Sequence, residues 1–146
     1  MLPTPQSVLE GVHACLSGDP HIQSALGNPP RLFDTPPEDV VHPYAAYGAI
    51  RLRDVSGDSA PLVEVTLNLH VYSRYEGRAE AMSIISLCLA ALERDRLRPH
   101  LPGTAAVVSR YADSFVSRDG HSRHSVLRLA ITVEGAEATL LQGEAA

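Results

Sequence analysis

From Val63 to Tyr72 the chain alternates without a break: Val63, Val65, Leu67, Leu69 and Val71 are apolar, while Glu64, Thr66, Asn68, His70 and Tyr72 carry polar groups. Successive side chains of a strand point to opposite faces, so this pattern predicts a strand with one buried face and one that is wet or reserved for a partner. A second strand is predicted from Tyr44 to Arg53, with Ile50 and Leu52 on one face and Arg51 and Arg53 on the other. The polar stretch 54–61 turns one strand into the next. Two further strands, about 105–117 and 121–133, flank Asp119-Gly120, a dipeptide suited to a tight hairpin because it accepts positive φ. In the last strand Leu127, Leu129, Ile131 and Val133 oppose Arg128 and Thr132. Arg31 to Asp34 also reads as a short strand. It precedes the proline-rich connection Thr35 to Pro43, whose prolines cannot donate to a ladder.

The helical period governs the rest. Thr4 and Pro5 make an N-cap and first-turn pair, and Val8, Leu9, Val12, Cys15 and Leu16 then recur on one face, predicting a helix from about Pro5 to Leu16 that ends near Gly18. Asp19 to Leu26 adds a short helical piece, stopped by Gly27-Asn28-Pro29-Pro30. Beyond Gly77, the stripe Ala81, Met82, Ile85, Cys88, Leu89 and Leu92 predicts a second long helix lying on the apolar face of the sheet. The resulting fold class is α+β: an antiparallel sheet of four to five strands with two helices packed on one face. At 146 residues the chain suits one core. We expect a single domain over 1–134, followed by a tail at 135–146 that has no clear period and is either free or an arm reaching a neighbouring chain.

Composition narrows the function. Net charge is -5, and the 12 basic residues are all arginines scattered along the chain, which argues against gripping nucleic acid through its phosphates. No apolar run approaches the roughly 20 residues that span a bilayer, so no membrane role is expected. The first residues lack a basic stretch followed by an apolar run, and synthesis in the cytosol is the expectation. Cys15 and Cys88 sit among apolar residues at helical spacing, as buried reduced thiols do.

Seven histidines raise the question of a metal or a catalytic base. His121 and His124 are closest in sequence, but three steps along a strand put them on opposite faces, where they cannot share an ion. His70 lies on the polar face with Glu64, Thr66 and Asn68, and no nucleophile accompanies it. Neither a phosphate-cradling glycine loop nor a G-x-S-x-G elbow is present, so we expect no enzyme and no cofactor. Arg74, Arg78 and Glu80 near the start of the second long helix suit an anion at its N-terminus or, more simply, ion pairs within the chain or with another subunit. The tyrosines are irregularly spaced, which suits a protein interface better than a base-stacking platform.

One sequence of landmarks is shared with a known family. Arg31-Leu32-Phe33-Asp34 precedes the proline-rich connection, and Pro43-Tyr44 opens a strand containing Gly48. Leu69-His70-Val71-Tyr72-Ser73-Arg74 then leads to Gly77-Arg78-Ala79-Glu80-Ala81, and the chain closes with Arg118-Asp119-Gly120, Arg123-His124 and Val126-Leu127-Arg128. This order resembles the tail-completion or tail-terminator family of siphophages and gene transfer agents, over nearly the whole chain. Tyr72 stands where relatives often carry tryptophan. The resemblance implies a structural protein without catalytic residues. Such a protein forms a ring, usually hexameric, that sits on the finished tail tube, stops its growth and joins it to the head. The implied partners are copies of itself, the major tail-tube protein and a head-completion or stopper protein, with DNA passing through the lumen unbound. The implied location is the bacterial cytoplasm during assembly and then the tail-neck region of the particle. Glu64, Thr66, Asn68, His70, Tyr72, Arg74, Arg78, Asp119, Arg123 and His124 are the candidate interface residues. A head-tail stopper or adaptor is a neighbouring alternative, and a small ligand-binding or regulatory domain a more distant one, which would need a deep apolar pocket.

Overall fold

A computed structural model describes residues 3–57 and 60–135, so the arm expected at 135–146 lies, apart from Gly135, outside the described residues. The chain begins with α1 (Pro5–Ser17). Thr4 caps it: its Oγ1 accepts from the Ser7 N–H at 3.1 Å, and the Ser7 Oγ accepts from the Thr4 N–H at 2.9 Å. Asp19 caps the next helix, α2 (Pro20–Leu26), by accepting from the His21 and Ile22 N–H groups. Then follow β1 (Leu32–Phe33), β2 (Tyr44–Asp54), β3 (Leu62–Ser73), α3 (Ala79–Ala91), α4 (Arg94–Leu97), β4 (Thr104–Val116) and β5 (Arg123–Glu134).

The class is α+β, as expected, with five strands in the order β1-β2-β3-β5-β4. Three of the four pairings are antiparallel, but β1 runs parallel to β2, pairing Leu32 with Ala45 and Phe33 with Ala46, so the sheet is mixed and not purely antiparallel. The proline-rich connection makes that possible, because a parallel neighbour needs a long crossover where a hairpin needs two residues. The described residues hold four helices: the two long ones and the short piece expected at Asp19 to Leu26, which is α2, and in addition α4. The single turn of α4 is too short to show a period.

The helices lie on the side of the sheet to which the odd-numbered residues of β3 point, with α3 packed on β3 and β5, α1 on β2 and α4 on β4. Val63, Val65, Leu67, Leu69 and Val71 join Leu127, Leu129, Ile131 and Val133 of β5, and Val8, Val12, Leu16, Ile22, Leu26, Ile84, Cys88 and Leu92 of the helical layer, in one core. Each of these side chains contributes about 1.5–3 kcal/mol by leaving water. Both cysteines are free and buried; burial pushes the Cys88 thiol up to about 12, which keeps it inert. The expected stripe on α3 needs one correction: Ile84 and Ala91 are buried, whereas Met82 is 51% exposed. Helix α3 packs over β3 and β5 and also against α2, which shifts its buried arc and leaves Met82 beyond the covered part of the sheet.

Candidate interaction face

Among the described residues, the even-numbered face of β3 has no element above it. Its register brings separate parts of the sequence into cross-strand rows. Tyr44 of β2 pairs with Tyr72 of β3, Tyr72 with His124 of β5, and His124 with Phe115 of β4, so four rings from four strands stand side by side. Tyr44 and Tyr72 stack with centroids 4.9 Å apart, Tyr72 and His124 at 4.3 Å, and Phe115 lies tilted at 4.7 Å from His124. His42 extends the row with an edge contact on Tyr44 at 5.0 Å. Neighbouring rings across a sheet are within contact range, and such pairs add about 0.5–1.5 kcal/mol beyond their burial.

In the next row sits His70, whose Nδ1 lies 2.8 Å from Nε2 of His124. One nitrogen donates and the other accepts, so this contact is made with one bridging proton and opposed by two. Burial lowers the pKa of both rings, and the His70 charge lowers that of His124 further. Space for the His70 ring exists because β2 carries Gly48 beneath it. A Cβ there would overlap the ring and come within 3.2 Å of the Asn68 Cβ. A bulge between Tyr47 and Ile50 sets this position and keeps both of those side chains on the covered face.

Further along the face the groups become charged. The Asn68 Oδ1 accepts from Arg128 Nε at 3.0 Å, and the same guanidinium lies over the Tyr111 ring at 5.6 Å. Glu64 receives Arg53 at 3.2 Å from β2 and Arg110 at 3.6 Å from β4. A hollow of about 200 Å³ between Ala49, Arg51, Thr66, Asn68 and Arg128 is too small and open for a drug-sized ligand. Among the described residues, no group of three or more histidine, cysteine or acidic side chains could hold a metal ion.

The ten candidate residues therefore separate. Glu64, Thr66, Asn68, His70, Tyr72 and His124 share the open face. Arg74 is exposed just beyond β3, where its charge adds to burial in lowering the pKa of His42. Asp119 is at the hairpin tip, accepting from the His121 and Ser122 N–H groups, and Gly120 adopts φ 74°. The hairpin is wider than the tight turn expected from Asp119-Gly120: the Ser117 N–H closes it on the Ser122 carbonyl. Arg78 and Arg123 line a hollow on the opposite, helical side. Among the described residues Glu80 forms no ion pair; it accepts instead from Ser73 Oγ at 2.7 Å. Phe115 is the member of the aromatic row that the sequence did not single out. The only signal for it is the strand pairing itself.

A small α+β domain whose sheet is clad by helices on one face and, among the described residues, bare on the other is thus the class this geometry defines. The family model for tail completion protein gp17 matches residues 10–134, and the chain belongs to that family. Membership makes it a structural protein of a phage-type tail, in a family that is not one of enzymes. Among solved structures, a chain in the virion of a native gene transfer agent particle is 18% identical, with a TM-score of 0.68 over 85% of this chain and 92% of that one. The gp17 protein of bacteriophage SPP1 is also 18% identical, with a TM-score of 0.54 over 88% of this chain and 90% of that one. At these identities the likeness concerns the fold. No curated protein matches the chain.

Proposed function

We propose that copies of this chain close into a ring, hexameric by the family resemblance, on the end of a finished tail tube. There the ring halts tube growth and receives the head-completion or stopper protein. The family match over residues 10–134 carries this proposal. The geometry supports it in two ways. A ring needs one patch on each subunit to meet a different patch on the next. The molecule offers two unlike surfaces: the bare sheet face, and the outer edge of β4, whose 13 residues pair on one side only among the described residues. A long unpaired edge is a ready template for another chain.

The negative net charge suits a lumen through which DNA slides without adhering. Particles assembled without this chain test the main proposal. Tails of abnormal length, or tails detached from heads, are expected by electron microscopy; normal tails on normal heads would overturn it.

A further inference from the structure

Among the described residues the sheet ends in two open edges of unlike kind. Strand β1 pairs with β2 through Ala45 and Ala46 alone, so the outer edge of β2 is open beyond them, as is the outer edge of β4. The directions of the two edges match. Strands β2, β3, β5 and β4 are antiparallel in turn, so β4 runs with β3 and against β2. Where the sheet of one copy continues into the next, β4 therefore meets β2 as an antiparallel neighbour, and each supplies the backbone partners that the other lacks.

Bulges bound the stretches that can pair. The irregularity of β2 falls between Tyr47 and Ile50, and that of β4 between Ser109 and Tyr111, which leaves 50–54 and 111–116 regular. Proteins commonly guard an open edge with proline or with several charges; 111–116 has no proline and one charge, Asp113.

Side chains then choose the register. Arg51, Arg53, Tyr111 and Asp113 stand on the bare face, while Ile50, Leu52, Ala112 and Ser114 stand on the helical side, so the strands can shift past each other only in steps of two. Glu64 already holds Arg53, whereas Arg51 and Asp113 form no ion pair among the described residues. Setting Arg51 opposite Asp113 places Arg53 opposite Tyr111, and brings Ala112 and Ser114 beside the half-buried Leu52 and Ile50. We propose that β4 of one copy pairs antiparallel with β2 of the next in this register, with the Asp113 carboxylate on the neighbour's Arg51 guanidinium. The inference rests on the proposal that copies close into a ring, and names the two edges that meet. The contact is heterologous, as a ring requires, and it joins the bare faces of adjacent copies into one surface.

Sedimentation of the full chain, alone over a concentration series and with isolated tail tubes, tests it. Asp113→Arg and Arg51→Asp should each raise the midpoint of self-association about tenfold with the circular dichroism unchanged, because like charges then face each other across the seam. An equimolar mixture of the two variants should associate as the native chain does, since each altered edge meets its complement. Both native thiols are buried, so under mild oxidant Arg53→Cys and Tyr111→Cys chains should form a mixed disulfide-linked dimer in preference to either homodimer. Association unchanged by both charge reversals, no rescue in the mixture, or Tyr111→Cys chains linked only to one another overturns this seam and leaves self-assembly standing. A chain that stays monomeric at every concentration and on tail tubes overturns both.

Discussion

On β3, Val65, Leu67 and Leu69 point into the helical layer at 1% exposure or less, while Thr66, Asn68 and His70, interleaved with them, remain half-buried with no described element above. The same strand thus supplies the core and the bare face. On the covered side the side chains are aliphatic and interchangeable in kind, held by packing. On the bare side they are rings, amides and charges whose arrangement depends on which residue stands opposite. The lesson is that half of this sheet is built for stability, and the other half keeps specific groups in place while free of a covering layer.

Substitutions should separate the two sides, from large effects to small. Leu129→Ala on the covered face should cost about 3 kcal/mol in urea unfolding, since it opens a cavity in a closed core. A loss below about 1 kcal/mol would mean that the helical layer is loosely seated. Gly48→Ala should cost about 1–2 kcal/mol because its Cβ meets the His70 ring. In a His70→Ala background the same change should be close to neutral, and an equal cost there would place the strain in the β2 backbone instead.

Tyr72→Ala removes stacking on both Tyr44 and His124 and should cost about 1–2 kcal/mol, with the fold retained by circular dichroism. A smaller change is expected with pH. Burial lowers the pKa of His70 and His124 in the folded chain below the ordinary 6.5, so the unfolded chain takes up protons first as pH falls. Stability from the neutral pair is full above 6.5 and is lost as pH drops through it toward the folded values. His124→Asn should flatten that dependence in thermal unfolding followed from pH 7.5 to 5. Smallest of all, Arg53→Ala should change stability by less than about 0.5 kcal/mol, because the Arg53 side chain is 67% exposed in its pair with Glu64.

By itself the sequence determined the longer local elements and the buried side of β3 and β5. Two-residue alternation through Val63 to Tyr72, the stripe of α1 and the Thr4 cap act over a few residues, and the structure keeps them, whereas the turn at Asp119-Gly120 is wider than the dipeptide alone suggests. Met82 was misplaced because periodicity defines a stripe but not the width of what covers it. Only the tertiary structure decided that Tyr44, Tyr72, His124 and Phe115 form one row, and that the partner of His124 is His70, 54 positions away, and not nearby His121. It also decided that β1 joins in parallel and that β4 is buried at Thr104 but largely exposed from Val108 onward. Register and layer coverage come from packing between distant segments, and no local period encodes which strand lies beside which.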